Sequence, residues 1–172
     1  MAFKIREARL SDLDAASRVR AHAWRESFAG VLPDDVVANA EAWAPAVAER
    51  WASAMLDRGV TFWLGVDAAG EIVAVAHADA AGEADAPASL ELKTLYVLDA
   101  AKGSGLADAL LHRAISDDLP AYLWVIEGND RAIAFYRKNG FELDGVSRPI
   151  EPGWPGGRQV RMFRPAPTDD AA

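Results

Sequence analysis

The stretch Leu95-Tyr96-Val97-Leu98-Asp99-Ala100-Ala101-Lys102-Gly103-Ser104-Gly105-Leu106-Ala107 decides how this sequence reads. A strand pattern closes near Val97, and Gly103, Ser104 and Gly105 lead straight into a helical repeat carried by Leu106, Leu110, Leu111, Ala114 and Ile115. The first turn of such a helix leaves backbone N–H groups unpaired beside the positive end of the helix dipole. Glycine, with no Cβ, lets an anion approach that backbone closely. The expected ligand is a phosphate or pyrophosphate held by few cationic side chains. Two other phosphate loops do not match. The turn lacks the Gly-Lys-Ser/Thr ending of a nucleotide-hydrolysing loop, and it lacks Gly-x-Gly-x-x-Gly with an acidic residue about 20 positions on.

Upstream, Phe3 to Ala8 alternate as a strand. Ser11-Asp12-Leu13-Asp14 has the form of a capping box opening a helix from about Asp12 to Phe28. Gly30 and Pro33-Asp34-Asp35 break that helix. Glu41 to Arg58 reads as a second one, with Trp43, Val47, Trp51 and Met55 four apart on one face. Val60–Val66 and Glu71–Ala78 are strands around the Asp67-Ala68-Ala69-Gly70 turn, and the small, polar segment Ala80–Ala88 reads as a mobile loop.

Ser89–Val97 is the strand before the glycine turn, and Ser104–Asp117 the helix after it. Ala121–Ile126 is a short buried strand. Asn129–Asn139 is a helix with Asn129 as N-cap and Gly140 as its stop. Phe141–Val146 and Gln159–Arg164 are the last strands, around a Pro/Gly-rich loop that holds Trp154. The parallel strand–helix–strand unit over Leu90–Ile126 makes this an α/β (α+β layered) domain around a mixed sheet. Residues 1–164 are expected to form one domain, and 165–172 a disordered tail.

Composition narrows the classes. The chain has 172 residues, a formal charge of −8 and no cysteine, so disulfides, thiolate metal sites and a cysteine nucleophile are excluded. His22, His77 and His112 are too few for a histidine-rich metal site, and no metal is expected. The acidic balance argues against nucleic acid as a partner. No apolar run is long enough to span a membrane, and no secretory leader is apparent, so a cytoplasmic setting is expected.

A second motif follows the first: Leu123-Trp124-Val125-Ile126-Glu127-Gly128-Asn129-Asp130-Arg131-Ala132-Ile133-Ala134-Phe135-Tyr136-Arg137-Lys138-Asn139-Gly140-Phe141. Over residues 3 to 164 the chain resembles the GNAT superfamily of N-acetyltransferases. Its pyrophosphate motif, Gln/Arg-x-x-Gly-x-Gly/Ala after a Leu-Tyr-Val-like strand, stands here with Lys102 in the Gln/Arg position. Lys102 keeps a cation but loses arginine's bidentate fork. The strand followed by Asn-x-x-Ala-x-x-Phe-Tyr and Gly-Phe is the family's second signature.

The resemblance implies a mostly antiparallel seven-stranded sheet with splayed central strands and flanking helices, and acetyl-CoA as co-substrate. It places pantetheine on the backbone of Leu95 and Val97, around Tyr96, and the pyrophosphate on Lys102, Gly103, Ser104, Gly105, Leu106 and Ala107. It puts Asn129 on the pantetheine arm and Ala132, Phe135 and Tyr136 at the thiol end. Tyr136 becomes the hydrogen-bond donor or general acid to the CoA sulfur. The base stays open between Glu91, which could equally be a carboxylate paired with Lys93 or Arg161, His77 with Asp79, and water. Trp24, Phe28, His77 and Trp154 are candidates for contact with the acceptor, with Leu32, Trp43 and Trp51 beside them.

An amine or amino-acid-like small molecule is the expected acceptor. Protein or peptide N-termini, or a non-catalytic acyl-CoA sensor, are the rivals. Pairing of two copies through an edge strand is open.

Overall fold

A computed structural model describes residues 3–28, 33–150 and 156–167. The element order is β1 (Lys4–Glu7), α1 (Leu13–Phe28, after a single 3-10 turn over Leu10–Asp12), α2 (Asp34–Ala42), α3 (Ala44–Arg58), β2 (Trp63–Val66), β3 (Ile72–Ala80), β4 (Leu90–Val97), α4 (Leu106–Ala114), β5 (Ala121–Ile126), α5 (Asp130–Lys138), β6 (Glu142–Pro149) and β7 (Arg158–Arg164). The seven strands form one sheet in the order β1-β2-β3-β4-β5-β7-β6. The β1/β2, β2/β3, β5/β7 and β6/β7 pairs are antiparallel. β4 and β5 are parallel, with Glu91 opposite Tyr122 and Leu92 opposite Leu123. This is the mixed, mostly antiparallel sheet with flanking helices that the sequence led us to expect.

The chain divides into two compact units, residues 1–78 with 94–114, and residues 79–93 with 115–172. In the first, β3 reads Ile-Val-Ala-Val-Ala and is buried from Val73 to Ala76, as a strand covered on both faces must be. Leu64, Val66 and Val75 pack with Leu13, Ala16, Val47, Trp51 and Phe62 on one side. Ala74, Ala76 and Val97 pack with Leu106 and Leu110 on the other. Gly65 makes room for α4, because a Cβ there would lie 2.8 Å from Leu106 Cδ2 and 3.0 Å from the Ala74 Cβ.

In the second unit, Tyr122, Phe141 and Met162 are fully buried. Buried Arg164 donates to Ser116 O (2.8 Å) and Leu119 O (3.3 Å), and its guanidinium lies over the Phe141 ring. Burial lowers its pKa.

Several expected boundaries move, each for a physical reason. Asp34 and Asp35 open α2 instead of marking a turn, since acidic residues after a proline favour the helix N-terminus. The second expected helix starts only at Ala44, behind a break at Trp43 and with Pro45 in its first turn. Trp43 therefore leaves the apolar face and stands exposed. α1 is entered through Asp12, not Ser11: the Asp12 carboxylate accepts from Arg9 N–H (2.7 Å) and pairs with Arg6 (2.7 Å). Hydrogen bonds from Arg6 hold the Asp12 carboxyl below its ordinary pKa.

α4 begins at Leu106 because Gly103 and Gly105 sit at φ +76° and +84°, outside the helical region. The 81–88 loop, expected to be mobile, is tied at Glu83 and Asp85 by bonds described below. The Pro/Gly-rich stretch 151–155, Gly30, Leu32 and the tail beyond 167 lie outside the described residues.

Candidate active site

In the first unit the glycine turn is built by the backbone. A 3-10 turn over Asp99–Ala101 follows β4, and Glu26 on α1 accepts the Asp99 N–H at 2.7 Å. Gly103 and Gly105 then take left-handed conformations that an L-residue with a side chain rarely adopts. The Ser104 hydroxyl donates to Ala101 O (2.6 Å) and accepts from Leu106 N–H (3.3 Å), capping α4.

The bond from Ala109 N–H to Gly105 O joins the glycine pair directly to the first turn of α4. A Cβ placed on Gly103 or Gly105 would meet nothing within 4 Å. Left-handed glycines, open space and first-turn donors suit a diphosphate. Lys102, the departure from the family motif, bonds its ammonium to Asp99 and lies 3.4 Å from Ser27 Oγ. Its charge is thereby already matched by a carboxylate.

The acceptor candidates of this unit separate. Trp24 donates its indole N–H to Tyr96 Oη (3.0 Å) and meets the Phe28 ring edge-on at 5.4 Å. Arg20 lies 5.6 Å from the centres of both the Trp24 and the Tyr96 rings. Leu95 and Tyr96 are half-buried, and Val97 is buried in the core. His77 is buried in an aromatic stack, 4.1 Å from the Phe62 ring and 5.9 Å from that of Trp51. Trp51 belongs to the same core.

In the second unit α5 carries the other motif. Asn129 caps it, accepting from Ala132 N–H at 3.2 Å. Ile133 faces the core, while Ala132, Phe135 and Tyr136 stay half-buried. The Tyr136 ring meets Phe135 at 5.2 Å and Phe141 at 5.9 Å, both edge-on, which fixes its plane. Its backbone carbonyl accepts from Phe141 N–H (3.0 Å) as Gly140, at φ +82°, ends the helix. Trp154 lies outside the described residues.

Glu91 is 5% exposed. Its Oε2 accepts from the Tyr122 hydroxyl at 2.8 Å and from the Lys93 ammonium. Burial, and then the bond to Glu91, push the Tyr122 phenol far above its ordinary pKa. Arg161 is not a partner of Glu91. It pairs with Asp144 at 2.6 Å and Asp85 at 3.5 Å.

Sequence reasoning missed Tyr122 and the cluster next to it. Trp124 donates to Glu83 (3.1 Å), which also pairs with Arg148, and the Arg148 guanidinium stacks 3.9 Å from the Trp124 ring centre. The available signal was alternation along β5, which sends Tyr122 and Trp124 to one face. Among the described residues no group of three or more His, Asp or Glu could hold a metal, and no helix is long and apolar enough to cross a membrane.

Comparison with known proteins decides the family. The acetyltransferase (GNAT) family profile matches residues 18–141, taking in both motifs. The chain belongs to the GNAT acetyltransferase family. It is an N-acetyltransferase, and its activity is acyl transfer.

Among relatives of this GNAT enzyme, a protein of Mycobacterium tuberculosis described as a probable N-acetyltransferase is 25% identical over 155 residues, 83% of this chain and 82% of that one. A PaiA N-acetyltransferase from Thermoplasma acidophilum, solved in complex with coenzyme A, superposes with TM-score 0.70 at 19% identity, covering 96% of this chain and 99% of that one. A phosphinothricin acetyltransferase from Sinorhizobium meliloti in complex with AcCoA gives TM-score 0.66 at 21% identity, covering 99% and 95%.

Proposed function

We propose that this GNAT enzyme transfers acetyl from acetyl-CoA directly to the amine of a small molecule. One observation carries the donor half: Gly103 and Gly105 at positive φ, with open space above them, lead into the N-terminus of α4. The backbone of Gly103–Ala107 holds the diphosphate. Lys102 serves it only so far as it leaves Asp99. Leu95 and Val97 offer backbone groups to the pantetheine amides, beside Tyr96; Asn129 contacts the pantetheine arm, and Ala132 and Phe135 line its thiol end. Acetyl-CoA supplies an activated thioester.

The protein's own residues have two tasks. An alkylamine with pKa near 10.4 is neutral in roughly one molecule in 2,500 at pH 7, a barrier of about 4.6 kcal/mol unless the proton is removed. Glu91, directly or through water, takes that proton. No protein nucleophile is required. The second task is thiolate departure. A phenol near pKa 10 giving its proton fully to a thiol near 8.5 runs uphill by about 2 kcal/mol. Tyr136 therefore acts as a hydrogen-bond donor to the sulfur. The backbone N–H of Leu95 stabilises the oxyanion. Trp24 and Phe28 contribute an aromatic wall for the acceptor, and the AcCoA-bound phosphinothricin acetyltransferase supports a small acceptor.

The test is CoA release from acetyl-CoA across small amines, amino acids and peptides. A chain without cysteine adds no thiol of its own. Turnover with small amines is expected. Release with peptides alone would overturn the small-molecule reading, and tight CoA binding with no release would overturn transfer to any of these amines.

A further inference from the structure

We infer that Tyr122 is a positioning residue for proton removal, holding the Glu91 carboxylate so that Oε1 is presented to the acceptor amine. The inference rests on reading Glu91 as the base. Tyr122 stands directly opposite Glu91 in the parallel ladder, is fully buried, and reaches Oε2 at 2.8 Å. Lys93, two residues along β4 and so on the same face, meets that same oxygen. Both donors sit on Oε2, and Oε1 carries neither.

A glutamate on a strand has three rotatable bonds, and left unsupported it samples many rotamers. The lysine is a poor anchor, because its stem is flexible and its side chain 34% exposed. A tyrosine ring has only two torsions, and one sealed in the core cannot turn away. Transfer breaks one N–H bond of the protonated amine, leaves its electron pair on nitrogen for attack on the thioester, and forms an O–H bond at Oε1. Effective catalysis of this kind depends on the base standing at a fixed place.

The experiment uses Tyr122→Phe, Glu91→Gln and the double variant, assayed with acetyl-CoA and the fastest amine of the panel. Tyr122→Phe is expected to lower kcat about tenfold, with the KM for acetyl-CoA within about twofold of wild type. The loss should vanish in the Glu91→Gln background and shrink for weakly basic amines that are already neutral. An equal loss in both backgrounds would overturn the positioning role and leave Tyr122 a packing residue.

A readout without turnover uses protein labelled with 13C at tyrosine Cζ. Of the three tyrosine resonances, the one missing in Tyr122→Phe should shift in Glu91→Gln while the others stay. An unmoved resonance would also overturn the inference. Unchanged kcat in Glu91→Gln, by contrast, would remove Glu91 as base, whatever the resonance does.

Discussion

The Gly103–Ala107 turn and the Glu91 cluster are built by opposite means. The turn uses backbone: two left-handed glycines and a serine cap at the N-terminus of a helix. The cluster uses side chains drawn from β4, β5, β6 and the 81–88 loop, with Tyr122 and Lys93 on the Glu91 carboxylate and Glu83 holding Trp124 and Arg148. A backbone site is written in a few consecutive letters. A side-chain site depends on register, and only pairing across the sheet discloses it.

The contrast can be broken most sharply at the turn. Gly105→Glu adds bulk and negative charge where the backbone must adopt φ +84°. CoA affinity by calorimetry should fall at least about 100-fold with the circular dichroism spectrum preserved; retained affinity would refute the loop. Next, Tyr136→Phe should lower kcat by about 100-fold while the KM for acetyl-CoA moves less than about twofold. A near wild-type kcat would end its role.

On the side-chain half, Arg161→Met removes a buried guanidinium from Asp144, whose carboxylate keeps only the Val146 N–H among the described residues. It should cost about 3 kcal/mol in denaturant unfolding, with CoA binding intact. Gly65→Ala tests the packing behind the turn: with Leu106 Cδ2 at 2.8 Å, a loss of about 1–3 kcal/mol is expected in the same assay. The smallest effect is Asp99→Asn. Freed of its partner, Lys102 should tighten CoA binding roughly two- to fivefold at low salt, less at high salt.

The same division explains what the sequence disclosed. The seven strand segments, the parallel unit and the Asn129 cap were legible, because periodicity and caps are local signals. The Pro33-Asp34-Asp35 start of α2 was misread because proline serves both turns and helix N-termini. Trp43 matched the apolar spacing of α3 but sits at the break before it, where spacing no longer sets a face. Arg161 was a plausible partner for Glu91 until the β5/β7 register put it opposite Trp124, among the acids of the 81–88 loop and β6. Tyr122 looked like any apolar residue of a buried strand; its hydroxyl gained meaning only through a partner 31 positions away.

The turn at Gly103 and Gly105 has a consequence that concerns handedness. A backbone at φ +76° and +84° is ordinary ground for a D-residue and strained ground for nearly every L-residue. Nature's alphabet offers only one achiral letter, so an encoded substitute at either position gives up glycine's ease in that conformation. Semi-synthesis avoids this: D-alanine at 103 would hold the same torsion while removing glycine's freedom in the unfolded chain. The loop would then be stiffer than any its gene could encode.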